Sequence, residues 1–257
     1  MSVNEKMTAI ANEIRRHTSK TDKLSLDDMA SGVNDVYLSG HLAGYQVGYT
    51  AGGVYDSLQY TGIAIFTNLN VFGKTDVVVN LPYLDQAGYL FVQYVENTLV
   101  KHLTFNGAND GRITEIDYVF SARDISDGDK TLEEITLNCD MSNCPYAYGM
   151  FYNLQSLKIV NGTPMDFSSV KKTTNFATNC YALEEIRFAK NSINVAISFE
   201  DSPNLSSASI DSLIDGLVTQ SATSTTKKVT LNTNVSITDA QKNMITNTKK
   251  WTLVFSS

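Results

Sequence analysis

"NFATNCYALEEIRF" (Asn175–Phe188) closes on Leu183, Ile186 and Phe188, in the order apolar-x-x-apolar-x-apolar. The same order returns in "LEEITL" from Leu132, "LQSLKI" from Leu154 and "VKHLTF" from Val100; with Leu183, the four starts are separated in chain order by 32, 22 and 29 residues. Alternation at the end of each copy is that of a strand with one buried face. Recurrence at a period of roughly 20–50 residues marks a stacked repeat, in which each unit buries its apolar face only against its neighbours. The register extends upstream: "AYGMFYNL" aligns with "FATNCYAL", matching Tyr152 with Tyr181 and Phe151 with Cys180.

This pattern predicts parallel strands at 102–105, 134–137, 156–159 and 185–188, with Leu103, Ile135, Leu157 and Ile186 stacked in the core. The intervening residues form outward columns. One column is expected to contain His102, Glu134, Ser156 and Glu185, and the next Thr104, Thr136, Lys158 and Arg187. Such columns either hold a ligand or form a solvated, salt-bridged sheet face. Tyr146, Tyr148 and Tyr152 are a second candidate recognition patch, since tyrosine offers an apolar ring and a polar tip. Of the three, Tyr152 is the one expected in the core.

Towards the C-terminus, "SPNLSSASIDSLIDGL" starts another unit at Leu205 and then changes to helical spacing at Ile210, Leu213, Ile214 and Leu217. "KKVTL" and "KKWTLVF" supply two last strands, with "TDAQKNMI" between them as a helix capped by Thr238.

The N-terminal region reads differently. Ser2 and Glu5 make a capping box, followed by the stripe Met7, Ile10, Ala11 and Ile14. Ser25 and Asp28 make a second box, with Leu24 and Met29 placed as a hydrophobic staple. A heptad follows: Leu26, Val33, Gly40, Val47 and Val54 in one column, Met29, Val36, Ala43 and Thr50 in the other. Gly40, Gly44, Gly48 and Gly52 recur every four residues. Each glycine costs about 1 kcal/mol against alanine inside a helix, so the segment is either a Gly/Tyr linker or a helix approached closely by another backbone. The second reading makes Ser25–Val54 one helix, with Val33, Val36, Gly40, Gly44, Val47, Gly48 and Gly52 as its oligomerisation or attachment positions.

The "NFATNCYALEEIRF" repeat resembles the irregular leucine-rich repeats of the BspA type. "MTAIANEIRRHTSKTDKLSLDDMASGV" resembles the openings of tail- and baseplate-associated proteins of phages and prophages of gut bacteria, and "TLNTNVSITDAQKNMITNTKKWTLVF" is similar to their closing segments. The resemblance implies an α+β chain: a helical attachment segment over 1–55, a leucine-rich-repeat solenoid of stacked parallel strands over 56–205, and a helix/strand cap over 206–257. It implies a non-enzymatic virion protein (tail, baseplate or fibre), assembled in the bacterial host cytoplasm, with decoration or receptor binding as its task. The implied partners are further copies of the chain, as a homo-oligomer such as a trimer, other tail or baseplate proteins, and a glycan or protein of the host surface. A bacterial surface adhesin is the alternative, and a carbohydrate-active enzyme a more distant one.

Composition and motifs point away from other classes. Charged residues make up 18% of the 257, below the roughly 25% of ordinary domains, and net charge is −7. The basic pairs Lys227-Lys228 and Lys249-Lys250 are too sparse for a nucleic-acid backbone. No apolar run reaches the ~20 residues of a membrane span, and the N-terminus, with Glu5 and Glu13, does not read as a secretory signal. Cys139, Cys144 and Cys180 lack disulfide or zinc spacing and read as buried thiols. His17, His41 and His102 are isolated. Around Gly128, Asp124, Asp127 and Asp129 miss the calcium-loop register, which places Arg123 and Ile125 where acids belong. Asn106–Gly111 fails likewise, with Ala108 at the third position. Glu134 and Glu185 are expected about 10 Å apart on an open face, two strand spacings, which suits neither retaining nor solvent-shielded acid catalysis. No cofactor or metal is expected.

Overall fold

The computed structural model describes residues 48–50, 54–56, 75–81, 100–122, 128, 130–221 and 227–256. The helices expected over residues 1–47, with Val33, Val36, Gly40, Gly44 and Val47, lie outside these, as do Gly52 and the acidic positions 124, 127 and 129. Where the expected long helix reaches described residues, it is replaced by strands. β1 (Gly48–Thr50) pairs antiparallel with β2 (Val54–Asp56), in the register Tyr49↔Tyr55 and Thr50↔Val54. Tyr49, Val54 and Tyr55 are strand formers, and the linking Ala51-Gly52-Gly53 has the glycines that short hairpin connections favour. Of the four spaced glycines, Gly48 is the one among the described residues, and it lies in a strand rather than a helix.

From β2 onward the pairing is parallel. β3 (Asp76–Asn80), β4 (His102–Asn106), β5 (Glu134–Asn138) and β6 (Ile159–Gly162) follow in spatial order, completing a six-stranded sheet. Val77, Leu103, Ile135 and Val160 form one inward column, and Val79, Phe105 and Leu137 another; all are buried. A second sheet is parallel throughout: β7 (Ile197–Phe199), β8 (Lys228–Asn232) and β9 (Thr252–Ser256). Among the described residues two helices accompany these sheets, α1 (Ser207–Gly216) and α2 (Asp239–Asn243), the latter running into a π turn over Met244–Thr248. The architecture is α+β, dominated by parallel strands.

Two expectations change here. The third strand begins at Ile159 rather than 156. Leu157 N–H donates to Leu154 O at 3.2 Å, closing a turn, so the Leu154/Leu157 pair belongs to the corner. The unit equivalent to Leu132–Ile135 is therefore Leu157–Val160, three residues later. At 185–188 there is no full strand, only bridges between Ile159 and Glu185 and between Met165 and Phe188. On the far side of this segment stands α1. Ser209 Oγ accepts from Ile186 N–H at 3.0 Å and Ser212 Oγ from Phe188 N–H at 2.9 Å. Two serines one helical turn apart thereby occupy donors that a further strand would have taken, and the sheet edge is covered rather than open.

Behind the first sheet runs a second hydrogen-bond ladder. Tyr118, Phe120 and Ala122 donate N–H to the carbonyls of Tyr148, Met150 and Tyr152; Ala147, Gly149, Phe151 and Asn153 donate to those of Lys172, Thr174, Phe176 and Thr178. Between the layers lies a row of phenylalanines. Phe105 meets Phe120 at 6.0 Å, Phe120 meets Phe151 at 5.9 Å, Phe151 meets Phe176 at 5.3 Å and Phe176 meets Phe199 of β7 at 6.0 Å. The row joins the two sheets through one core.

Trp251 closes the end of that core, with its indole N–H donating to Val218 O at 2.7 Å. Beside it the buried Lys249 ammonium donates to Leu217 O, at the C-terminus of α1, at 2.6 Å and to Asn191 Oδ1 at 3.1 Å. That position complements the helix dipole.

Candidate functional site

Because β3, β4 and β5 are in strict register, their outward residues line up. Asp76, His102 and Glu134 share a column that continues to Ile159 and, by the bridge, to Glu185. Val78, Thr104, Thr136 and Asn161 form the next, and Asn80, Asn106 and Asn138 the third. Of the expected face residues, His102, Thr104, Glu134, Thr136 and Glu185 therefore lie in these columns. Ser156 does not: it sits in the turn before β6, and Ile159 takes its place. Lys158 does not either, and Asn161 stands opposite Thr136 instead. Arg187 is exposed beyond Glu185, with its carbonyl accepting from Met165 N–H at 3.0 Å. The displaced pair follows from the three-residue shift of the repeat.

Lys158 has another place. Glu133 receives the Lys101 and Lys158 ammonium groups, each at 2.8 Å. These two cations hold its carboxyl down to about 2, and Glu184 adds to the field that raises Lys158. The result is a row of alternating sign, Lys101, Glu133, Lys158 and Glu184, along the start of the strands. On the face itself His102 Nδ1 lies 2.7 Å from Asp76 Oδ1. The Thr75 hydroxyl and then His102 hold the Asp76 carboxyl below its ordinary value. Asn161 donates to Glu134 Oε1 at 2.7 Å. Most charges near the face are thus committed to neighbouring strands.

The asparagine column was legible but unread. "DVVVN", "HLTFN" and "EITLN" all end in Asn. Asn138 Nδ2 donates to Asn106 Oδ1 at 2.8 Å, and Asn106 Nδ2 to Asn80 Oδ1 at 2.5 Å. Asn106 thus accepts from one neighbour and donates to the other, which ties the three strand ends in sequence.

Tyr146 and Tyr148 stack with centroids 5.3 Å apart and planes at 19°. Tyr146 is 39% exposed and is bridged to the exposed Lys172 in the adjacent segment. Tyr148 is fixed from below: its N–H donates to Asp117 Oδ1 at 3.0 Å, and burial raises the Asp117 carboxyl. Gly149 has φ +49°, and a methyl there would enter the Tyr118 ring, so Tyr118 lies directly on this backbone. Tyr152 is half-buried rather than core. Its supposed counterpart Tyr181 is 47% exposed and donates to Asn179 Oδ1 at 2.8 Å. The pairing of Phe151 with Cys180 is also revised: Phe151 is hydrogen-bonded to Phe176, in keeping with the three-residue shift.

The cysteines are buried and free. Burial pushes the Cys139 and Cys180 thiols up to about 12 and raises that of Cys144 as well. Cys144 and Cys180 donate to the carbonyls of Ile113 and Phe151 at 3.2 and 3.0 Å. These are packing groups, not nucleophiles. A shallow groove of about 370 Å³ lies past the strand ends, between Cys139–Met141 and Phe188–Lys190, where Gly162–Pro164 leaves the sheet. Among the described residues no three His, Cys, Asp or Glu side chains are grouped to hold a metal ion, and no helix is long and apolar enough to cross a membrane.

No protein-family model, curated protein or solved structure matches the chain.

Proposed function

We propose that the chain is a non-enzymatic virion protein of a bacterial phage, a tail, baseplate or fibre component, in which an irregular leucine-rich-repeat solenoid presents a recognition surface to the host. The repeat reading is supported by the spacing of equivalent residues. Asn80 and Asn106 are 26 apart, Lys101 and Glu133 32, Glu133 and Lys158 25, and the parallel register stacks their apolar neighbours.

The observation that carries recognition is the Tyr146/Tyr148 pair. Two stacked rings, one of them well exposed, sit beside an exposed lysine on a fixed backbone. Tyrosine is enriched at binding surfaces because it gives contact area at little entropic cost. The columns around Thr104 and Thr136 are, in this reading, the solvated side of the sheet, because Asp76 and His102 bond each other and Glu134 accepts from Asn161.

Two measurements test the proposal. Mass spectrometry of particles purified after prophage induction in the source strain should detect the chain at a stoichiometry typical of a tail component. Its absence from particles that retain other tail proteins would overturn the virion assignment. Particles or purified protein carrying Tyr146→Ala and Tyr148→Ala together should lose about tenfold or more in host-cell binding, with Lys158→Ala and Arg187→Ala much milder. Unchanged binding in the double variant would remove the tyrosines from recognition.

A further inference from the structure

The second sheet ends in β9, and among the described residues nothing pairs with its outer edge. Among these residues β9 pairs with β8 alone and is last in the strand order. Thr252 N–H donates to Lys227 O at 2.8 Å, and Ser256 O accepts from Thr233 N–H at 2.9 Å. In a parallel ladder alternate residues direct both main-chain groups at the same neighbour. Thr252, Val254 and Ser256 therefore face β8, while Leu253 and Phe255 present N–H and C=O outward. Their side chains continue the inward columns of Val229 and Leu231, both fully buried. Phe255 remains 42% exposed, so the Leu231 column ends on a ring that is only partly covered by the described residues.

The edge lacks the usual protections. Thr252–Ser256 reads TLVFS, with no charge and no proline, whereas solvent-facing edges are normally blunted by one or the other. The order is also symmetric: polar, three apolar, polar. We infer that β9 pairs antiparallel with β9 of a second copy about a two-fold axis at Val254. Leu253 then faces Phe255 of the other copy, and Thr252 faces Ser256. Both Leu253/Phe255 pairs are of the hydrogen-bonded type, and they use the four outward groups of each strand. Val254 meets its own copy in a non-hydrogen-bonded pair. The contact is isologous and closes on itself, so it yields a dimer rather than a fibre. It continues the sheet from one copy into the next and covers Phe255 with the other copy's Leu253. This inference goes beyond the recognition reading above and does not depend on it.

The test uses the full chain. In a non-hydrogen-bonded antiparallel pair the Cα atoms lie about 4.5 Å apart, inside the range a disulfide spans. Val254→Cys should therefore oxidise in a glutathione buffer to a species of twice the chain mass, at least about tenfold faster than a cysteine at the exposed Ser207. The native thiols are buried and do not compete. Phe255→Pro removes an outward N–H without touching the β8 ladder. By light scattering its mass should be half that of the unmodified chain, and in the Val254→Cys background it should abolish rapid crosslinking. Equal masses, or crosslinking no faster than at position 207, would overturn the inference. If Phe255→Pro fails to fold, hydrogen exchange on the unmodified chain decides. The Leu253 and Phe255 amides should be protected increasingly with protein concentration, and fast exchange at all concentrations would refute self-pairing. A strand from a different protein on this edge would also give a monomer in these experiments and count against the inference.

Discussion

Truncating Phe176 should separate the two sheets energetically before it unfolds either. Phe176 is 1% exposed and touches Phe151, Phe167 and Phe199 at centroid distances of 5.3, 5.4 and 6.0 Å. Replacing a buried phenylalanine by alanine costs about 3–5 kcal/mol in lost transfer energy and residual cavity. Three edge-to-face contacts place Phe176→Ala towards the upper part of that range. Against a total stability of about 5–15 kcal/mol the loss is large. It falls on the ring that links β7 to the segment behind β5 and β6.

The assay follows from the sequence. Trp251 is the only tryptophan and is 2% exposed beside the second sheet, so its fluorescence reports the C-terminal half while circular dichroism reports both. In urea the two signals should coincide for the unmodified chain and diverge for Phe176→Ala, with the tryptophan transition moving to lower denaturant. Phe176→Leu, which keeps apolar volume but no ring, should fall between them. A cost below about 1 kcal/mol, outside the range for such truncations, or two coincident transitions in the alanine variant, would refute the coupling assigned to this ring.

Two further outcomes are expected. Glu133, held at about 2 against an ordinary 4.5, favours the folded state above the ordinary value. That contribution is lost as pH falls from 4.5 towards 2, because the unfolded chain binds the proton first. The melting temperature should drop across this window, and Glu133→Gln should flatten the drop; an unchanged slope in the variant would dismiss the Lys101–Glu133–Lys158 row as a stabilising element. Gly162 has φ +92°, and a methyl there would run into the Leu137 main chain, so Gly162→Ala should destabilise by more than about 1 kcal/mol. A neutral effect in thermal or urea melts would show that the backbone there relaxes freely.

How much of this was legible depended on whether a local signal had one interpretation. Thr238 and Gln241 can do little else than cap a helix, and the reciprocal capping box is present. Ile210, Leu213, Ile214 and Leu217 likewise mark the buried side of α1, three of them within the helix and Leu217 at its C-cap. "LQSLKIV" was ambiguous because both Leu154 and Leu157 open an apolar-x-x-apolar pair. Only the partner strand decides between them, and that choice displaced Ser156 and Lys158 from the face. At Gly48–Asp56 a heptad and a hairpin competed for the same residues; periodicity favoured the first, and the strand preference of Tyr49, Val54 and Tyr55 prevailed. The asparagine column needed no structure to find, since the residue recurs at three strand ends. The open edge of β9 did: hydropathy alone does not say which strand lies outermost.

The serines of α1 also bear on how such a chain changes over evolutionary time. A tandem array ordinarily gains or loses copies anywhere along its length, since every junction looks like every other. Here Ser209 and Ser212 occupy the donors of Ile186 and Phe188, so a copy inserted after residue 188 would meet a helix where it needs a strand. On the repeat reading proposed above, duplication is accommodated between β3 and β6, where each strand is paired in parallel on both sides by a neighbour of the same kind or its bridge. Chains descended from the same ancestor should therefore vary in length on the N-terminal side of α1 and keep the distance from Ser209 to Trp251 nearly constant.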